Sequence, residues 1–301
     1  MNSNLSEMKN KNLIPFILGL LLLVSSLQAQ TIFLAYTANL NGTLESCHCQ
    51  GNTLGGMVQL GSAVDSLRLE HPDLILVDSG DFLNSYTLPG ANSLMWEFMS
   101  SLKYDAISPG DQEFVEGQDF IRKKSRQYPL QLVSCNIVDR QKAKAEFMPY
   151  RIIERNSLKI GIIGVVYSSA FDFIDEPGIT IAPASEALEQ TITDIKNKCD
   201  ILVLLCHAGY EDGMKLAEDI PALDVIITGH TQRKESRMPG KQIVLQPGVD
   251  GEYIGFLQIT KENGQIIYKN QFRPVNESLG KKEIFQKNVD QYYRKLKSGA
   301  F

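Results

Sequence analysis

The sequence predicts a single α/β domain, and three observations support this prediction. Short apolar segments rich in Ile, Leu and Val recur along the 301-residue chain, often bounded by Gly, Pro or Asp, as is typical of buried strands. Longer segments between them have the apolar spacing of helices. Neither an internal repeat nor a linker interrupts this alternation, so we expect one domain over residues 31–301.

The elements follow in chain order from these patterns. Strands are predicted at 31–36, 73–78, 104–108, 129–137, 158–167, 200–206, 224–229 and 242–247. Helices are predicted near 56–70, 91–103, 184–198 and 210–219, with a closing amphipathic helix near 281–297. Residues 253–272 predict a hairpin, because Asn263-Gly264 is a strong two-residue turn signal.

The N-terminus has the pattern of a secretory signal peptide, residues 1–29. Lys9 and Lys11 precede the apolar run 13–27, and Ala29 offers a small residue for cleavage. A retained anchor is the alternative, but the run is short for a membrane span. Since no second apolar run of spanning length follows, we expect an exported protein, periplasmic or extracellular, without a membrane span in the mature chain.

The charge pattern argues against a nucleic-acid partner. The formal net charge is −5 and the pI is near 5.5. The only basic cluster, "RKKSR" at 122–126, is typical of a solvated helix face.

Metal-ligand and amide side chains follow the predicted strands, at the edge where α/β domains form their sites. They are Asn39, Asn41, Asp78, Asp81, Asp111, Cys135, Asn136, Cys206, His207 and His230. One such Asp or His would indicate only a helix cap or a surface residue. Two carboxylates and two imidazoles at four strand ends instead predict a divalent metal site of the Zn, Mn or Fe type, formed by Asp81, Asp111, His207 and His230.

The motifs "GDF", "GDQEF", "CHAG" and "GHTQ", followed by "LQPGVDGEYIGFLQI", resemble those of the calcineurin-like metallophosphoesterases in order and spacing. They are most similar to the catalytic domain of exported 5′-nucleotidases, in a divergent subfamily with a Cys-x-Cys motif. This resemblance over residues 31–272 implies two facing mixed β-sheets flanked by helices, with a metal site between them. It also implies hydrolysis of a small-molecule phosphoester. We expect no second, substrate-binding domain of the kind those nucleotidases carry.

Amides replace several ligands that the resemblance implies. One of the family's two metal positions corresponds here to Asn39, Asn41 and Gln232, and Gln112 stands in place of a histidine. The other position, matching Asp81, Asp111, His207 and His230, keeps its ligand types. We therefore expect one ion rather than two, with Asp81, Asp111 and His207 as catalytic residues. Because an amide cannot donate a proton as imidazolium can, standard 5′-nucleotidase activity is in doubt.

The cysteines leave three interpretations open. Cys47, His48 and Cys49 follow the first strand, and Cys135 and Cys206 lie at other strand ends, so we expect these residues near the site. They could be small buried residues with one disulfide, a thiolate site for a soft metal, or a labile redox pair. The alternative function is accordingly a catalytically inactive metal-binding or thiol-redox module on the same fold.

Overall fold

A computed structural model describes residues 29–46, 53–174 and 178–299. Within these ranges the helices are α1 (Met57–Glu70), α2 (Pro89–Leu102), α3 (Gln118–Gln127), α4 (Ala184–Ile195), α5 (Tyr210–Asp219) and α6 (Glu283–Lys297). The strands are β1 (Gln30–Thr37), β2 (Ile75–Asp78), β3 (Ala106–Ile107), β4 (Ile137–Asp139), β5 (Lys144–Ala145), β6 (Tyr150–Arg155), β7 (Leu158–Val166), β8 (Ile179–Ile181), β9 (Ile201–His207), β10 (Val225–Thr228), β11 (Lys234–Arg237), β12 (Ile243–Pro247), β13 (Tyr253–Glu262) and β14 (Gln265–Pro274).

The strands form two large mixed sheets and one small sheet. The first has the order β14-β13-β1-β2-β3, and the second has the order β11-β12-β10-β9-β7-β6. The central strands β1, β2 and β3 run parallel, as do β7, β9, β10 and β12, while the outer strands are antiparallel. Strands β5, β4 and β8 form the small sheet.

The two large sheets pack face to face. Buried residues of both sheets, such as Leu34, Val77, Ile162 and Val203, form one apolar cluster. Because successive strand residues point to opposite faces, the remaining strand residues contact helices, which cover the outer faces of both sheets. The predicted sandwich of two mixed sheets flanked by helices is therefore confirmed.

The predicted strand at 129–137 is wrong over most of its length. The backbone N–H of Val133 donates to the carbonyl of Ile107 in the first sheet, and that of Cys135 donates to Gly164 in the second. The segment thus crosses from one sheet to the other, and only Ile137–Asp139 continues as a strand. A Cβ on Gly164 would collide with the carbonyl of Val133, so this crossing needs glycine there.

The predicted helices and the hairpin are present, with ends shifted by up to three residues. Asn263 and Gly264 both have positive φ, 52° and 76°, as a type I′ turn requires. Across the described ranges, no helix has the length and apolar character needed to cross a membrane.

Candidate metal centre

Four candidate metal ligands meet between the two sheets. Asp81 follows β2 and Asp111 follows β3 in the first sheet, while His207 ends β9 and His230 follows β10 in the second. The parallel strands bring these four positions to one edge of the sandwich. One donor atom from each residue can be chosen so that all four lie within 4.8 Å of one another.

The carboxylates and imidazoles are already in contact. Nε2 of His207 lies 3.2 Å from Oδ1 of Asp81 and 3.2 Å from Oδ1 of Asp111. Nδ1 of His230 lies 3.3 Å from Oδ1 of Asp111. His207 is fully buried, whereas the side chain of His230 is 37% exposed. The cluster is therefore anchored in the core and open to solvent on the His230 side.

The electrostatics of the cluster suit a cation. Burial lowers the pKa of His207, but the carboxylates of Asp81 and Asp111 raise it well above its ordinary value. Burial raises the pKa of Asp111, but contacts with His207 and His230 lower it by a larger amount, so the net shift is downward. The carboxylates thus favour positive charge at this position, which a metal ion would supply in place of a proton.

The tautomer of His207 is fixed from outside the cluster. Its Nδ1 lies 2.7 Å from the carbonyl oxygen of Ser79, an acceptor only, so Nδ1 carries the proton. Nε2 then faces Asp81 and Asp111, and it would offer its lone pair to an ion that displaces its proton. This is the arrangement by which carbonyl oxygens orient histidine ligands in metal sites.

Two of the four candidate ligands have an uncommon backbone conformation. Asp81 and His230 have positive φ values of 60° and 71°, a left-handed conformation that side-chain-bearing residues adopt at some cost. Gly110 has a different role, because a Cβ there would lie 2.6 Å from Nε2 of His207. A glycine is needed at that position to let the two sheets' ligands approach.

Glu113 holds the ligand-bearing loops together. This carboxylate is 1% exposed. One oxygen accepts hydrogen bonds from the backbone N–H groups of Asp81 and Gly110, and the other accepts from Phe82 and Leu83. The sequence placed Glu113 in the "GDQEF" motif but gave it no role, since four backbone contacts across two loops cannot be seen from residue spacing.

Amides occupy the position next to this cluster. Nε2 of Gln112 donates to Oδ2 of Asp81 and to Oδ1 of Asn41, each at 3.2 Å. Nδ2 of Asn41 in turn donates to Oδ1 of Asp250 at 2.9 Å. Asn41 and Asp250 both have positive φ. Hydrogen bonds therefore link Asp81 to Asp250 through two amide side chains.

Asn39 is a structural connector. It is fully buried, its Oδ1 accepts from the backbone N–H of His230 at 2.7 Å, and its Nδ2 donates to the carbonyl of Gly248 at 3.0 Å. Both ends of the amide are thus used, and one of them supports the His230 loop. Gln232 is exposed and lies two residues beyond His230.

Two other strand-end residues also have structural contacts. Asp78 accepts hydrogen bonds from the Thr37 hydroxyl and from the backbone N–H of Gly80. Nδ2 of Asn136 donates hydrogen bonds to the carbonyls of Val166 and Ala182, and its Oδ1 accepts one from the backbone N–H of Val166. These two residues tie down chain turns at the edge of the sheets.

The cysteines do not all lie where the sequence suggested. Cys206 belongs to the apolar cluster on the helix-covered face of the second sheet, and Cys135 packs against the same cluster. Their placement beside the metal site is therefore corrected: strand alternation turns Cys206 away from the face that His207 occupies. Burial raises the pKa of Cys135 to about 12 and raises that of Cys206 as well, which keeps both as thiols. Cys47, His48 and Cys49 lie outside the described residues.

The fold is that of a calcineurin-like phosphoesterase domain of the type found in 5′-nucleotidases, with four candidate metal ligands at one edge. The chain aligns with a 5′-nucleotidase precursor from Thermus thermophilus at a TM-score of 0.78 and 20% identity, over 89% of this chain and 59% of that one. It aligns with the calcineurin-like phosphoesterase YfkN from Bacillus subtilis at a TM-score of 0.73 and 18% identity, over 89% of this chain and 98% of that one.

Sequence relatives are consistent with this fold. The 5′-nucleotidase of Rattus norvegicus is 23% identical over 287 residues, which span 84% of this chain and 50% of the relative. The chain thus spans about half the length of the curated nucleotidases that it matches. No family model matches the sequence. The resemblance inferred from the motifs is confirmed.

Proposed function

We propose that this protein is an exported, metal-dependent phosphoester hydrolase with a single divalent ion, held by Asp81, Asp111, His207 and His230. The observation that carries the proposal is the convergence of these four side chains, with donor atoms within 4.8 Å of one another. Imidazole and carboxylate ligands together suit Zn, Mn or Fe. The sequence relatives named 5′-nucleotidase support the reaction class.

The amides of Gln112 and Asn41 support the single-ion part of the proposal. A second ion beside the first would need free ligand atoms. Here the second oxygen of Asp81 accepts a hydrogen bond from Gln112, and Asn41 is bonded to Gln112 and Asp250. Hydrogen bonds thus satisfy Oδ2 of Asp81 and both polar side-chain atoms of Asn41 without a second cation, whereas the buried Oε1 of Gln112 has no partner in the described structure.

A bound divalent ion would supply Lewis acidity and lower the pKa of water. The chain's own residues position that chemistry. Ser79 fixes the ring of His207, Glu113 fixes the loops of Asp81 and Asp111, and Asn39 fixes the backbone at His230. The exposed side of His230 gives a substrate access to the ligands.

The N-terminal pattern supports export, with residues 1–29 as a signal peptide and 31–301 as one domain. Lys9, Lys11, the apolar run 13–27 and Ala29 are the features that support it. Mass spectrometry of the N-terminus after expression in a secreting host tests this part. A mature chain that begins at Gln30 is expected, and an intact Met1 in an exported fraction would contradict it.

Hydrolysis is tested with the chain stripped by a chelator and then reloaded with Mn²⁺ or Zn²⁺. Activity on bis(p-nitrophenyl) phosphate should disappear on stripping and return on reloading. His207→Ala should abolish both activity and metal retention, whereas His71→Ala should keep both, because His71 stacks on Phe33 and is not among the four candidate ligands. Metal bound without hydrolysis of any phosphoester would favour the inactive metal-binding alternative.

A further inference from the structure

Asp250 lies beside the group of candidate metal ligands, to which Asn41 and Gln112 link it by hydrogen bonds. In the described part of the chain its carboxylate forms no ion pair with a basic residue. Its Oδ1 accepts hydrogen bonds from Nδ2 of Asn41 at 2.9 Å and from Oγ1 of Thr43 at 3.2 Å. Its backbone is held by Asn39 and Gly56. Two neutral donors therefore fix the carboxylate in place and leave its charge uncompensated.

The charges around the ion sum to a negative value. One divalent ion is neutralised by Asp81 and Asp111, and Asp250 then adds a further negative charge. Asp78 and Glu113, buried behind the cluster, can only add to it. With one ion bound, no surplus positive charge remains in the cluster to bind an anion.

The two basic residues that follow His230 in the sequence, Arg233 and Lys234, have other partners. Arg233 forms an ion pair with Glu211 at 2.5 Å, and Nζ of Lys234 lies 3.6 Å from the ring centroid of Tyr253. In the described ranges, no lysine or arginine pairs with Asp81, Asp111 or Asp250. In the described structure these carboxylates therefore keep their charge, which opposes the second charge of a phosphate monoester.

We propose that the site, which rests on the single ion proposed above, selects monoanionic phosphoesters such as phosphodiesters over dianionic phosphate monoesters, and that Asp250 contributes to this selection. Repulsion from a fixed charge scales with the charge of the ligand. A dianion therefore loses twice the free energy that a monoanion loses, and the effect of Asp250 on dianion affinity is the square of its effect on monoanion affinity.

Binding of two non-hydrolysable probes tests this without relying on catalysis. The metal-loaded protein is titrated calorimetrically at mildly alkaline pH with phenylphosphonate, a dianion, and methylphenylphosphinate, a monoanion of similar shape. We expect the phosphinate to bind at least as tightly as the phosphonate. Since the local charge is negative, affinity for both should rise with ionic strength.

Asp250→Asn is a conservative test, because asparagine keeps the acceptor for Asn41 and Thr43 and tolerates the φ of 56°. At low ionic strength it should raise phosphonate affinity about three- to tenfold, and phosphinate affinity by about the square root of that factor. Asp219→Asn is the matched control, since it removes an exposed carboxylate at the C-terminal end of α5. It should change neither affinity.

Metal content is measured in both variants, so that a lost ion is not mistaken for a changed charge. If Asp250→Asn fails to fold, the sign of the salt dependence in the unaltered protein still decides. Phosphonate affinity that exceeds phosphinate affinity about tenfold or more and falls with added salt would overturn the charge proposal, even if hydrolysis is observed. Absence of hydrolysis with the expected binding preference would instead overturn the proposed function alone.

Discussion

Nε2 of Gln112 lies 3.2 Å from Oδ2 of Asp81 and donates a hydrogen bond to it, at the oxygen that does not contact His207. A neutral amide thus occupies the second oxygen of this carboxylate. The same nitrogen contacts Asn41. This hydrogen bond is the structural reason to expect one metal ion rather than two.

Rebuilding the second position should increase activity only when the changes are combined. Gln112→His alone should help little, because Asn39, Asn41 and Gln232 still offer amides. Combining it with Asn39→Asp, Asn41→His and Gln232→His should bring the metal content toward two ions and raise phosphomonoesterase activity about tenfold or more. The check is metal analysis with kinetics on p-nitrophenyl phosphate. An increase from Gln112→His alone that matches the combined variant would contradict this explanation.

Glu113→Gln should destabilise the protein and weaken metal binding together. Four backbone N–H groups donate hydrogen bonds to the Glu113 carboxylate, and the substitution places an NH₂ group against two of them. The buried donors left unpaired cost about 2–4 kcal/mol. Urea denaturation measures the free energy of unfolding, and equilibrium dialysis measures metal affinity. Glu186→Gln, on the exposed start of α4, should change neither quantity.

Asp139 should make stability depend on acid pH. Hydrogen bonding to Lys142 lowers the pKa of Asp139 to about 2, and Arg122 also contacts it at 2.7 Å. Because the folded pKa is depressed, the carboxylate stabilises the fold above its unfolded pKa of about 4, and this contribution is lost as the pH falls toward 2. The difference in unfolding free energy between the unaltered protein and Asp139→Asn should shrink over that window.

Asp119 offers the control for this experiment. It also approaches Arg122, at 3.5 Å, but its side chain is fully exposed, so Asp119→Asn should have little effect at any pH. A difference for Asp139→Asn that stays constant from neutral pH to pH near 2 would show that the carboxylate's charge is not what stabilises the fold.

Thiol counting should resolve the state of Cys47 and Cys49. Cys135, Cys199 and Cys206 are free thiols in the described structure. In denaturant without reductant we expect three reactive thiols, with the remaining two appearing after reduction, because an exported protein tends to keep such a pair oxidised. Five thiols before reduction would contradict a disulfide. A chelator-dependent count under native conditions would then indicate a thiolate metal site.

The sequence predicted the parts of this structure that depend on local pattern. Strands such as 158–167 and helices such as 210–219 have strong apolar periodicity, and α/β domains form their sites beyond the carboxyl ends of their strands, which located Asp81 and His207 at the same edge. The segment 129–137 was predicted wrongly because its hydrogen bonds alternate between two sheets, and apolar content does not report the partner.

The surroundings of the site could be predicted less well, because they depend on side-chain direction and long-range contacts. Cys206 and His207 are adjacent in sequence but face opposite sides of the sheet. Cys206 packs in the helix-covered core, and His207 contacts the other candidate metal ligands. Asp250 reaches Asn41 across 209 positions. The glycines beside Asp250 in "GVDG" were the only local sign of a special turn there.

Metal stoichiometry tests most directly whether this fold holds one divalent ion rather than two. The protein is purified without chelator, dialysed against Mn²⁺ or Zn²⁺ and analysed for metal, alongside a Cys47→Ser, Cys49→Ser variant that removes the possible thiolate site. We predict about one ion per chain in the cysteine variant, lost in His207→Ala made on the same background. Two tightly held ions in the cysteine variant would contradict a single-ion site.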